Sequence, residues 1–124
     1  GCLNFNELKK ILRLKRNKKL IILHCVSSYP LNTKDCNFKK FNYLKRNFDK
    51  VGYSGHLDGI EDAIYAIAND AVVVEKHFTI NKNLPGRDNK FSLTPAEFSK
   101  LSRLRDMFFE FNHSSVTHRQ HFSF

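Results

Sequence analysis

The feature that most constrains this chain is the regular return of short apolar runs between stretches of helical period. Leu20-Ile21-Ile22-Leu23 and Ala71-Val72-Val73-Val74 are continuous, too short for helices and typical of parallel strands buried on both faces. A briefer run begins at Val51 and ends near Ser54. Four helical patterns surround them. Asn4 and Glu7 form a capping pair ahead of Leu8, Ile11 and Leu12, and Phe38, Phe41, Leu44 and Phe48 recur at near-helical spacing. Asp58 and Glu61 form a second pair around an apolar face of Ile60, Ala63, Ile64, Ile67 and Ala68. Thr94-Pro95-Ala96-Glu97 is the clearest helix start, with an N-cap, proline at N1 and glutamate at N3, followed by the stripe Phe98, Leu101 and Leu104. The order α-β-α-β-α-β-α predicts an α/β fold of parallel strands joined by right-handed crossovers.

Charge is unevenly spread. The net charge is +9, yet residues 1–50 carry 13 basic and 3 acidic side chains, and the remainder is close to neutral. Such a basic segment raises nucleic acid as a partner, through the lysines of residues 9–19 and the basic residues of 39–50. No recognised nucleic-acid motif accompanies it, and a solvated helix face is the commoner origin of such a run. No apolar stretch approaches the ~18 residues a transmembrane helix needs, so no membrane partner is expected. The three cysteines, Cys2, Cys25 and Cys36, form neither a disulfide framework nor a zinc pattern. They fit a reducing compartment, the cytoplasm. The start, Gly1-Cys2-Leu3-Asn4, has neither an initiator Met nor a basic-then-apolar leader, as expected of an interior cut.

Parallel α/β folds place ligands outside the carboxyl ends of their strands. Those ends here are Cys25-Val26-Ser27-Ser28-Tyr29-Pro30, Gly52-Tyr53-Ser54-Gly55-His56 and Val74-Glu75-Lys76-His77-Phe78-Thr79. Strand alternation puts Val73, Glu75 and His77 on one face and Val72, Val74 and Lys76 on the other. Lys76 is expected to snorkel outward, leaving Glu75 and His77 directed to the centre. His56 ends the neighbouring strand, so the two histidines can converge on a divalent cation of the Mn²⁺, Fe²⁺ or Zn²⁺ type, although strand-end histidines are as often simply hydrogen-bonded. His24 lies out of phase with Cys25 and Ser27 and reads as packed or hydrogen-bonded. Cys25 reads as a small apolar residue, with no acid–base partner near it in sequence. Gly86-Arg87-Asp88 is either a turn or a segment closing over substrate.

These strand ends resemble the sialic acid synthase family, which includes N-acetylneuraminate synthase and its legionaminic and pseudaminic acid relatives. The matching segments are Leu23-His24-Cys25-Val26-Ser27-Ser28-Tyr29-Pro30, Gly52-Tyr53-Ser54-Gly55-His56, Glu75-Lys76-His77-Phe78-Thr79 and Asn83-Leu84-Pro85-Gly86-Arg87-Asp88, continuing through Ser92-Leu93-Thr94-Pro95. They occur in the family's order and spacing. The resemblance implies a partial (β/α)₈ TIM barrel, with residues 1–107 supplying strands 6–8 and their flanking helices. Residues 108–124, rich in Phe and His (His113, His118 and His121), receive no element.

The family condenses phosphoenolpyruvate with an N-acetylated hexosamine such as N-acetylmannosamine, releasing phosphate, with Mn²⁺ the usual metal. By motif, His56 and His77 would be the metal ligands and Glu75 a catalytic acid–base or positioning group. Ser27 and Ser54 fall where the family contacts phosphoenolpyruvate, and Tyr29 and Asp88 where it contacts the sugar. Gly55 stands where the family commonly has aspartate, Arg87 where proline or threonine is frequent, and Asn89 where histidine is frequent. The expected reading is thus part of a synthase, inactive by itself, whose partners are a homodimer mate or a complementing N-terminal half. The alternative is a non-catalytic remnant that binds metal or a partner protein.

Overall fold

The computed structural model describes residues 1–11 and 19–114. The elements alternate as expected: α1 (Phe5–Ile11), β1 (Ile22–Cys25), α2 (Phe38–Lys45), β2 (Val51–Gly55), α3 (Glu61–Ala68), β3 (Val74–Lys76) and α4 (Pro95–His113). A short 3₁₀ turn, Thr33–Asp35, sits between β1 and α2. The strands form one parallel sheet in the order β1-β2-β3. Register decides which side chains meet. His24, Tyr53 and Val74 align across the sheet on one face, and Cys25, Ser54 and Glu75 align on the other.

Among the described residues the helices pack on the first of these faces. Leu8, Phe41, Leu44, Phe48, Val51, Tyr53 and Ala66 make one buried cluster between α1, α2, α3 and the sheet. Ile60, Ala63, Leu93 and Leu101 make a second, where α3 meets α4. The expected α3 stripe changes at its end, because Ala66 is buried in the first cluster and Ala68 is exposed. On the other face Val73 is 38% exposed and Glu75 is open to solvent.

Two strand expectations move. β1 begins at Ile22 and runs to Cys25, because pairing of Ile22 with Val51 sets its start, and Ile21 is left 43% exposed. β3 begins at Val74, although Val72 N–H and Val73 C=O already bond to β2. Continuous apolar runs mark residues suited to burial; the ladder partner decides where a strand starts.

The caps divide similarly. Asn4 and Glu7 exchange backbone and side-chain hydrogen bonds of 2.7 and 3.0 Å, and Thr94 with Glu97 forms a full capping box. Asp58 does not cap α3. Gly59 turns the chain at φ +93°, Ile60 takes the N-cap position, and the Asp58 carboxylate instead meets Lys82 Nζ at 3.3 Å. α4 continues to His113, past the expected boundary at residue 107.

The basic face is only partly a solvated one. Lys40 is 9% exposed, with its ammonium donating to Leu3 C=O, and Lys45 pairs with Asp70 at 3.0 Å. Most of the run from Arg13 to Lys19, and both His118 and His121, lie outside the described residues. Among the described residues no helix is long and apolar enough to cross a membrane.

Candidate functional site at the strand ends

The loops leaving β1 and β3 are each pinned at the strand ends. Leu31 N–H donates to His56 C=O at 3.3 Å, tying the β1 loop to the end of β2. Thr79 N–H donates to Leu93 C=O at 3.0 Å and Leu93 N–H to His77 C=O at 2.8 Å, so the chain after β3 loops out and returns to the same strand end. That return carries Asp88 and Phe91 back over His77.

An aromatic group results. The His56 and His77 rings lie 5.2 Å apart between centroids. Tyr29 sits against both, at 4.4 Å from His56 and 6.0 Å from His77, and Phe91 approaches Tyr29 and His77 at 5.7 and 5.4 Å. Asp88 Oδ2 is 3.6 Å from His77 Nδ1. A cleft of about 830 Å³, lined by Tyr29, His77, Arg87, Asp88 and Phe91 among others, opens beside them. The structure thus brings together Tyr29, His56, His77 and Asp88. Ser54 and Glu75 are side by side on the open face one step below. Ser27 is exposed, and its neighbour Val26 contributes a carbonyl to His56.

The tautomer of His56 follows from that carbonyl. His56 Nδ1 is 2.9 Å from Val26 C=O, which can only accept, so Nδ1 carries a proton and, in the neutral ring, Nε2 is the nitrogen with the lone pair. This is how a histidine is commonly oriented for a metal, with one ring nitrogen held and the other bare. His56 is 5% exposed, whereas the His77 side chain is 32% exposed. Among the described residues no group of three or more His, Cys, Asp or Glu side chains is placed to hold a metal. The strand ends thus bring two imidazoles side by side, with the His77 ring lining the cleft.

Several features escaped sequence reasoning. Lys76 does not snorkel outward: its side chain is 1% exposed and its ammonium meets Asp62 of α3 at 3.1 Å. A lysine on the helix-facing side of a strand is covered by the crossover helix, and here that helix supplies a carboxylate. Asn89 holds the return loop, accepting from Thr79 Oγ1 at 2.8 Å and donating to Pro85 C=O at 2.9 Å. Phe91 belongs to the returning loop, far along the chain from His77, and no periodic signal places its ring on that histidine. Cys25 is half-buried, as a small apolar residue would be, yet its Sγ lies 3.9 Å from His56 Nδ1, a partner distant in sequence. His24 is packed as expected. It is 1% exposed, its Nε2 lies 2.8 Å from Cys36 C=O, and burial holds its pKa below the usual histidine value.

The chain is similar to several known proteins. The N,N'-diacetyllegionaminic acid synthase of Campylobacter jejuni is 37% identical over 107 residues, covering 82% of this chain and 32% of that protein. A pseudaminic acid synthase of the same species is 39% identical over 105 residues, covering 82% and 31%. The crystal structure of N-acetylneuraminic acid synthetase from Leptospira borgpetersenii superposes with a TM-score of 0.79 at 34% identity, covering 98% of this chain and 44% of that one. The chain thus spans about a third of the curated relatives it matches. The family model described as the NeuB family matches residues 1–110, and this chain belongs to that family.

Proposed function

We propose that this chain is the C-terminal part of a sialic acid synthase-type (β/α)₈ barrel, supplying strands 6–8 and the metal-ligating end of its active site. The observation that carries the reading is the pair His56 and His77, on adjacent parallel strand ends with rings 5.2 Å apart and Tyr29 and Asp88 against them. The uncovered sheet face, with Val73 and Glu75 exposed, supports a remainder of the barrel closing over it. The intact enzyme condenses phosphoenolpyruvate with an N-acetylated hexosamine.

A divalent cation such as Mn²⁺, when bound, polarises the aldehyde oxygen of the open-chain sugar. His56 and His77 would be the residues that hold that cation. Tyr29 and Asp88 orient the sugar in the cleft, and Ser27 and Ser54 orient phosphoenolpyruvate. Glu75 lies on the open face beside Ser54, placed to hold or move a proton at the reacting carbons. The chain by itself lacks most of the surrounding site, so it turns over no substrate.

A graft tests the reading. The matching segment of the Campylobacter jejuni legionaminic acid synthase is replaced by residues 1–107 of this chain, and phosphate release from phosphoenolpyruvate is followed with Mn²⁺ and amino sugar. The expected result is Mn²⁺-dependent release that His56→Ala or His77→Ala abolishes. A folded, active graft indifferent to both substitutions overturns the reading. So does phosphate release by the 124-residue chain alone that requires both Mn²⁺ and the sugar.

A further inference from the structure

The turn after His56 ends on a buried ion pair that the proposed chemistry does not use. The Lys76 and Asp62 side chains are 1% and 0% exposed and meet at 3.1 Å. Lys76 Nζ also donates to Leu57 C=O at 2.6 Å. Asp62 Oδ2 accepts from Tyr53 OH at 3.1 Å and from Leu57 N–H at 3.4 Å. Both backbone polar groups of Leu57, the residue directly after His56, therefore terminate on the pair. On its other side the His56 carbonyl accepts from Leu31 N–H, and its Nδ1 donates to Val26 C=O. Lys76, the last residue of β3, immediately precedes His77.

One pair of charges thus ties the backbone of both histidine-bearing strand ends. Apolar residues of the same volume would fill this space without the desolvation that a fully buried ion pair carries, so packing alone does not explain it. What the pair supplies is direction: the carboxylate and the ammonium each end on one of the two peptide groups that flank Leu57.

We propose that Lys76 and Asp62 are positioning residues that hold the His56 ring in one tautomer, Nδ1 protonated and Nε2 bare. This rests on the reading of His56 and His77 as metal ligands, and it adds the groups that prepare one of them. Loosening the pair frees the Leu57 peptides, lets the ring leave Val26 C=O, and mixes the two neutral tautomers.

The test is long-range ¹H–¹⁵N correlation of the histidine side chains in the 124-residue chain at about pH 8, where an ordinary imidazole is neutral. In wild type the two His56 nitrogens are expected well separated, one pyrrole-like and one pyridine-like. In Asp62→Asn and Lys76→Met they are expected to move toward a common average, while Asp70→Asn, which breaks only the exposed pair with Lys45, leaves them in place. Tyr53→Phe removes one partner of Asp62 without removing either charge; it serves if the first variants fail to fold, with a smaller movement in the same direction expected. Unchanged His56 nitrogens in a folded Asp62 or Lys76 variant, or in Tyr53→Phe should those not fold, overturn the proposal. Added Mn²⁺ separates the two readings. Failure to broaden the wild-type His56 and His77 signals counts against metal ligation, while the tautomer pattern without metal decides the positioning role. With metal bound, Asp62→Asn is expected to weaken Mn²⁺ binding roughly 10- to 100-fold, as losses of groups that orient a histidine ligand do.

Discussion

Gly55 offers the sharpest test of how β2, β3 and α3 share one carboxylate. It pairs with Lys76 in the sheet, and a Cβ built on it would fall onto Asp62 Oδ2, 2.7 Å from Tyr53 Cε1 and 3.1 Å from Lys76 Cδ. The family resemblance of the strand ends implies aspartate at this position. In this chain Asp62 fills the space from α3, so the two carboxylates are alternatives for one partner, Lys76. Asp62→Ala strands a buried ammonium, which costs about 3–5 kcal/mol. Gly55→Asp overpacks a site with no free volume, about 1–3 kcal/mol, and sets a second carboxylate against the first, a repulsion of similar size. If independent, the two changes would together remove roughly 5–10 kcal/mol, most or all of the stability of an ordinary domain. The double variant Gly55→Asp/Asp62→Ala restores one carboxylate beside Lys76 and is expected to cost less than about 3 kcal/mol. Urea unfolding of the four proteins measures this directly. Additivity of the single costs to within about 0.5 kcal/mol, or a double variant that does not fold, would refute the reasoning.

Other consequences follow from the same structure. Burial lowers the His24 pKa, so the folded state favours the neutral ring. The stability this gives is fully present above the unfolded value near 6.5 and is lost as pH falls toward the lowered folded value. His24→Phe should flatten that part of the stability–pH curve measured by urea titration; an unchanged slope would contradict it. Thr94→Ala removes the cap that accepts from Glu97 N–H and should cost about 1 kcal/mol by thermal unfolding, whereas Leu101→Ala, in the cluster between α3 and α4, should cost about 2–5 kcal/mol. Cys2 is exposed, while burial raises the Cys36 pKa and its thiol donates to Asn32 C=O. Iodoacetamide should therefore label Cys2 promptly and Cys36 only on unfolding, as mass spectrometry would show.

Much of the site could be read in the sequence because strand ends are written as local patterns. Apolar runs broken by His56 and His77 put both histidines at neighbouring ends, and the structure brings their rings together. The helix starts at Asn4 and Thr94 were legible because a capping box is complete within four residues. Asp58 misled because the same spacing stood beside Gly59, whose positive φ moved the helix start to Glu61. The Lys76–Asp62 pair and the Phe91 ring were hidden for another reason. Their contacts join residues fourteen apart in each case, and only packing of α3, or the returning loop, on the strand ends creates them.

Binding of Mn²⁺ at His56 and His77 can be followed on the chain by the loss of the free-ion electron paramagnetic resonance signal. Wild type is expected to remove the signal with one site per chain, and His56→Ala and His77→Ala each to weaken binding at least about tenfold, since each leaves a single imidazole. Wild-type binding that survives both substitutions, or no binding at all, would contradict it.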